Sequence, residues 1–407
     1  MNSQDYLSTM LDIQENIIYF LEEEANIEDN FTILESKFND TKISDSKYYL
    51  LSLMHLISKI GNNHHRLPNF FSKIERVLIF FKDDIKYFFS NSEVFNIFRS
   101  NKRILLFLIE QQLIIIDEYI VKKITNTEKY IEAKYPQYFQ PEIQPFINKK
   151  WFPKYKNSNE KEEKENGWVE DIKKELRDNF YEKRKEGEND CQICELIRND
   201  MYDEFVAYVT RNNVPLNSKI NPSIYETNSF LLKKQAELEQ DNDDEDNGIS
   251  LIEYAVFFGS IQIFNYLRLE GVKLMPSLWS LSIHGQNAEI IHFLEGNHVE
   301  LEDKSYKQVF YESIKCHHNN IANYFIDNFL QSDEENSQDT INQCLKYYNF
   351  AFLKNESISE SSFFSLCKYD YCVLFNNLLN DKNIDINKTE IFNILLIQFQ
   401  LIIIKLC

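Results

Sequence analysis

Two stretches of the chain carry residue types that hold metals or run thiol chemistry. Cys191-x-x-Cys194 sets two thiols at the spacing of half a tetrahedral zinc site, and Cys316-His317-His318 offers three further ligands in a row. No second C-x-x-C exists, so a zinc centre would need these distant segments to meet. At least two of the helical units described below separate them, each about 10 Å deep. The expectation is no metal, with these cysteines filling a buried apolar role. His64-His65 reads as a polar turn ahead of Pro68 rather than a catalytic or metal pair. The eight glycines, at 61, 167, 187, 248, 259, 271, 285 and 296, form neither a phosphate-cradling loop nor a nucleophile elbow. Kinase signatures and H-E-x-x-H are also missing. The chain therefore reads as non-enzymatic, with no catalytic residues and no cofactor. The alternative, an enzyme within the first 150 residues, has no nucleophile and base pair to support it.

The elements that must position such residues follow from composition. The chain has 407 residues, 43% of them hydrophobic, with 64 Asp+Glu against 44 Lys+Arg and a net charge of −20. That apolar content excludes wholesale disorder. An acidic chain repels phosphate backbones, so no nucleic acid partner is expected. Seven cysteines between Cys191 and Cys407 do not read as a disulfide framework, and the first twenty residues lack a basic stretch and a cleavage site. A cytoplasmic or nuclear protein is expected. Gly and Pro number only eight each, which disfavours turn-rich sheets and predicts an all-α fold. The apolar run 391–407, IFNILLIQFQLIIIKLC, is short of the roughly 20 residues a membrane span needs. Asn393, Gln398, Gln400 and Lys405 also interrupt it. It reads as a buried terminal helix, a partial last repeat; the alternative is a tail anchor.

Four segments result. Residues 1–150 form an N-terminal helical domain: Ser3 caps a helix bearing Leu7, Leu11, Ile17, Ile18 and Leu21, and Asp45 caps one bearing Tyr49, Leu53, Leu56, Ile57 and Ile60. Prolines at 136, 141, 145 and 153 are expected to exclude ordinary helix there. Residues 151–190, mixed in charge, read as a charged linker or a solvated helix. Residues 191–390 hold repeats, and 391–407 the apolar helix. Acidic insertions at 239–247 and 332–339 read as surface loops.

The repeat emerges by sliding 247–272, NGISLIEYAVFFGSIQIFNYLRLEGV, along the chain. Ala255, Ile263, Phe264, Tyr266 and Leu267 align with Ser282, Ile290, Ile291, Phe293 and Leu294, and again with Ser313, Ile321, Ala322, Tyr324 and Phe325. Weaker copies place Ile197 and Cys367 in the small-residue column, and 344–355 reads as a shortened unit, making five or six units in all. A small residue in the first helix admits the second closely, and the apolar i, i+3, i+4 set seals each pair against its neighbours. No pair can bury its own surface, so stacking supplies the core and the array is a solenoid.

NGISLIEYAVFFGSIQIFNYL resembles a divergent ankyrin repeat. Gly248 matches the leading Gly, Ser250 the Thr, Ile252 the Leu, Ala255 the Ala, Gly259 the inter-helix Gly and Gly271 the closing Gly. Leu251 stands for the Pro, Glu253 for the His, and Gln286 and His317 for the Gly of later copies. ICELIRND, SLIEYAVFFGSIQIFNYL and SIKCHHNNIANYFI, with NHHRLPNFFSKIERVLIFFK upstream, resemble a trichomonad-type protist family of unknown function with ankyrin-like repeats. The resemblance implies an interaction scaffold with no assigned catalytic residues.

An N-terminal helical region followed by an ankyrin-like α-solenoid would bind a protein partner on its concave face. By column that face includes Glu253, Phe257, Ser280, His284 and Lys315, with Lys273, Glu302 and Lys304 in the connections. If Phe257 and Phe258 both point outward they form an aromatic anchor; the alternative buries at least one. The acidic loops would bias docking toward basic partners. A membrane-tethered scaffold using 391–407 is the alternative.

Overall fold

The apolar period near the N-terminus is realised as helix Ser3–Glu22, capped by Asn2 rather than Ser3: the Asn2 side chain accepts from the Gln4 amide at 2.8 Å. Asp45 likewise ends a short 3-10 turn, Ile43–Asp45, and the helix it was expected to cap begins at Lys47. The computed structural model describes residues 2–125, 134–147, 176, 178–220, 223–232, 249–301, 305–330 and 337–381. The protein is all-α. Among the described residues the only strands are Lys219–Ile220 and Ile249–Ser250, an antiparallel pair with Lys219 opposite Ser250 and Ile220 opposite Ile249.

The chain divides into two compact units, Met1–Ile60 with Arg66–Ile74 and Leu301–Cys407, and Gly61–His65 with Glu75–Glu300. This division does not follow the boundaries expected at residues 150 and 190. The physical reason within the first unit is direct. Helix Ser3–Glu22 packs on helix Ile27–Asp40, on the 3-10 turn Phe350–Phe352 and on helix Cys372–Asp381. Tyr6 hydrogen-bonds Ser52 at 2.6 Å, stacks on Tyr49 and meets Phe350 edge-on. Tyr348 stacks between His55 and Tyr371. Helices Lys307–Cys316 and Asn319–Phe329 pack as a pair, and helices Gln338–Tyr347 and Phe363–Lys368 follow in contact with one another.

In the second unit, helix Gln192–Arg198 pairs with Tyr202–Arg211, Leu251–Phe257 with Ile261–Leu269, and Leu278–Gly285 with Ala288–Gly296. The first helices touch in series, 192–198 on 251–257 and 251–257 on 278–285. Gly259 and Gly285 set that last spacing. A Cβ on Gly285 would lie 2.3 Å from the Val256 carbonyl oxygen, and one on Gly259 would lie 2.5 Å from that of Gly285. Backbone meets backbone here, and only glycine fits.

One turn closes the first helix of each pair. Asp200, Gly259, His317, Tyr348 and Asp370 all have φ between 48° and 70°. Each donates its amide three residues back, and the next amide reaches five back: Met201 to Leu196, Ser260 to Ala255, His318 to Ser313, Asn349 to Cys344 and Tyr371 to Leu366. This is the Schellman arrangement, which satisfies the last carbonyls of a helix. Gln286 has the same handedness (φ 49°) and donates to Ile283. The small-residue column is thus Leu196 and Leu366 in the outer copies, one residue before the Ile197 and Cys367 that sliding the sequence selected. Second helices end the same way at Asn213, Gly271 and His298, and so does Lys102–Glu110 at Gln112.

One expectation about the middle of the chain is overturned. Helices Tyr135–Tyr138 and Gln140–Ile147 form despite three prolines. Pro136 and Pro141 sit in first turns, where an amide has no helical partner to lose, and Pro145 forfeits a single bond. The charged stretch before residue 190 also holds structure: helix Phe180–Glu186 buries Arg184, which grips Glu142 with two bonds of 2.9 and 2.7 Å and donates to the Tyr138 carbonyl. The Tyr138 hydroxyl returns a bond to the Arg184 carbonyl at 2.6 Å. The 391–407 segment, Gly248, Glu302, Lys304, residues 239–247 and the start of the second acidic insertion lie outside the described residues.

Candidate functional site

Of the residues expected to line a docking face, Glu253, Phe257 and His284 are buried. Ser250 caps helix Leu251–Phe257 in a capping box: its amide and hydroxyl both donate to one oxygen of Glu253, at 3.0 and 2.8 Å. The other Glu253 oxygen accepts from the Ser277 hydroxyl at 2.6 Å, at the start of the next first helix. Glu253 is 7% exposed and joins two pairs; it is not a surface acid. Phe257 is 4% exposed and stacks against His284 at 4.9 Å, while Phe230 covers both rings. The outward aromatic anchor is therefore absent at Phe257, and Phe258 is half-buried against Tyr254. His284, 2% exposed, also lends its carbonyl to His65 at 3.0 Å. The His64 side chain is buried at the bend that follows the helix ending at Asn63.

Lys315 is half-buried and bonds Glu312 at 2.6 Å. Burial opposes its charge, but the Glu312 carboxylate and its hydrogen bond, together with Cys316 and Tyr347, outweigh this and hold the amine above the ordinary lysine value. Ser280 is half-buried and Lys273 is exposed. Lys273 shares its connection with Met275, 42% exposed, and follows Leu269, 74% exposed. The structural columns pack inside: Ala255, Leu267, Ser282, Leu294 and Ser313 are buried, Ser282 bonding the Trp279 carbonyl and Ser313 that of Val309. Gly259 and Gly271 have φ of 70° and 85°.

Cys191 and Cys194 form a different kind of site. Cys191 caps helix Gln192–Arg198, and the Cys194 amide donates to its carbonyl at 3.0 Å, a turn that brings the two Cα atoms within about 7 Å. Both thiols are free; Cys191 is exposed and Cys194 is buried beneath it. Their environments push them apart. The Cys194 thiol donates to the Cys191 sulfur, and this bond, aided by the Ile193 and Cys194 amides and opposed by burial and Asp190, lowers Cys191 to about 6. The same bond and burial drive Cys194 far above the ordinary thiol range, with Glu226 raising it and Arg198 opposing.

The surrounding elements hold this corner fixed. Arg198 donates to the Asn189 carbonyl at 2.8 Å and to the Tyr254 hydroxyl at 3.1 Å. Glu226 is buried and accepts the Asn228 amide. Asp190 accepts from Ser223 and Lys183; burial pushes its carboxyl up, and those bonds together hold it below the usual range. No third metal-ligating side chain gathers with the two cysteines among the described residues. Sequence spacing singled out this pair, but the split between an exposed and a buried sulfur comes from tertiary packing.

Comparison of the chain with protein-family models, curated proteins and solved structures returns no match.

Proposed function

We propose that the chain is a non-enzymatic scaffold, an ankyrin-like α-solenoid that docks a protein partner. The observation that carries this reading is the shared closing turn: five first helices end in one hydrogen-bond pattern with a left-handed residue, four of them not glycine. Identical turns set identical exit directions, which is what serial stacking of helix pairs requires. The resemblance to ankyrin-like protist proteins agrees with it, and Gln286 and His317 fill the glycine position in handedness.

The N-terminal block has a sign of the same construction. Asn287 caps its helix through the amides of Glu289 and Ile290 while its own amide group donates to the Gly259 carbonyl at 3.0 Å. Asn101 does the same with Arg103, Ile104 and the Gly61 carbonyl at 2.9 Å. The scaffold reading therefore extends upstream of residue 191.

With Glu253, Phe257 and His284 committed to packing, the partner surface moves to the end of helix Ile261–Leu269 and the connection after it, where Leu269, Lys273 and Met275 are exposed. An apolar patch beside a cation suits a protein partner with an acidic rim. Among the described residues no helix is long and apolar enough to cross a membrane.

The test is proximity labelling in cells with the intact chain and with Leu269→Ser, Lys273→Glu and Met275→Ser combined. A set of neighbours lost from the variant at unchanged melting temperature is expected. Identical neighbours for both would discard the connection surface.

A further inference from the structure

We propose that Cys191 and Cys194 are a reversible thiol switch, closing to an intramolecular disulfide when the chain meets a small-molecule disulfide. The geometry is that of an attacking and a resolving thiol. Cys191 is solvent-exposed, at the mouth of the corner, while Cys194 is fully covered and directed at the Cys191 sulfur. The turn between them, closed by the Cys194 amide on the Cys191 carbonyl at 3.0 Å, holds the two Cα atoms within about 7 Å, against the roughly 4.4–6.8 Å that a disulfide uses. Arg198, Tyr254 and Glu226 surround Cys194, so the resolving sulfur is held in polar company rather than in an apolar core. The ionisation difference between the two sulfurs adds to this arrangement and assigns the roles.

The chemistry balances in two exchanges. The Cys191 thiolate attacks one sulfur of R–S–S–R, forming a Cys191–S–S–R mixed disulfide and expelling one thiolate. Cys194 then gives up its proton, which passes to the departing thiolate, and its sulfur attacks that of Cys191. The second R–S⁻ leaves. The dithiol loses two electrons, and the small disulfide gains them, leaving as one thiol that carries the Cys194 proton and one thiolate that takes its proton from solvent. In the reduced state the proton stays on Cys194 and its S–H points at the Cys191 sulfur, so the starting nucleophile is already paired with its resolver.

The experiment uses the full chain, reduced and then exposed to bis(2-hydroxyethyl) disulfide as the probe, followed by acid quenching and peptide mass mapping. A Cys191–Cys194 peptide lighter by two hydrogens is expected, with Cys194→Ser trapping the probe on Cys191. Iodoacetamide alkylation of Cys191 in the reduced chain should have its midpoint near pH 6 instead of the ordinary value of about 8.5. A wild-type chain that accumulates an unresolved mixed disulfide at Cys191, or leaves Cys191 a thiol while other cysteines react, overturns the proposal. The wild-type mapping decides this even if the serine variant does not fold. Failure here would leave the scaffold reading untouched, because the two rest on different residues.

Discussion

Gln14 and Asn349, 335 positions apart in sequence, share a buried amide hydrogen bond of 3.0 Å. The Gln14 oxygen also accepts the Phe350 amide at 2.7 Å, and Asn349 reaches the Ile314 carbonyl and the Asn319 side chain at 2.9 and 2.8 Å. A single glutamine thus satisfies the first helix and the turn at 349–350 at once. Replacing Gln14 by Leu strands the buried Phe350 amide and leaves the Asn349 oxygen with the Ala351 amide alone, a cost of about 1–3 kcal/mol. Denaturant melts should show that loss, while Glu15→Ala, exposed on the same helix, should change stability by under about 0.5 kcal/mol.

Gly285→Ala should be among the most damaging conservative changes in the second unit. Its new methyl would meet the Val256 carbonyl and the Gly259 amide at 2.3 and 2.8 Å, backbone atoms that cannot swing aside. A loss of about 3 kcal/mol or more is expected in thermal melts. Gly296→Ala, with nothing within 4 Å of the added carbon, should be neutral or gain up to about 0.5 kcal/mol.

Glu253→Ala separates packing from docking. Removing the carboxylate ends both the capping box and the bond from Ser277, so a loss of about 2 kcal/mol should appear in melting curves. A variant of unchanged stability that lost its cellular neighbours would return Glu253 to the partner surface.

Thermal stability of the reduced chain should carry a pH signature from Cys191. Its folded value, about 6, lies below that of an unfolded thiol, so the native state holds the thiolate more readily. That contribution is full above the ordinary thiol range and disappears as pH falls through 6. The melting gap between wild type and Cys191→Ala should therefore narrow from pH 8.5 to pH 5.5 (~8.5 being the unperturbed thiol value). A constant gap across that range would remove the thiolate from the native state.

Helix content was legible because periodicity and scarce Gly and Pro are local signals. The turn after the first helix was only half legible. Gly259 announces left-handed backbone, but Gln286, His317, Tyr348 and Asp370 adopt it without announcing it, because the hydrogen bonds of the closing turn outweigh the cost of a side chain there. Sliding apolar columns alone put Ile197 and Cys367 one residue late for the same reason. Phe257 and His284 looked like surface positions because what covers them, Phe230, arrives from beyond an acidic insertion. Arg184 hid in a charge run, since composition does not reveal that Glu142 waits for it. Gln14 and Asn349 have no periodic trace at all.

The long segment of the second unit, Glu75–Glu300, lies in sequence between Ile74 and Leu301 of the first. On a ribosome, helix Ser3–Glu22 emerges with Tyr6, Met10, Ile13 and Ile17, all buried in the finished protein, and waits for residues near 349 to be made. At about 5–20 residues per second that delay is on the order of tens of seconds. During it the apolar stripe of that helix lacks the side chains that bury it in the finished protein, whereas the second unit, which ends at residue 300, is already complete in the growing chain.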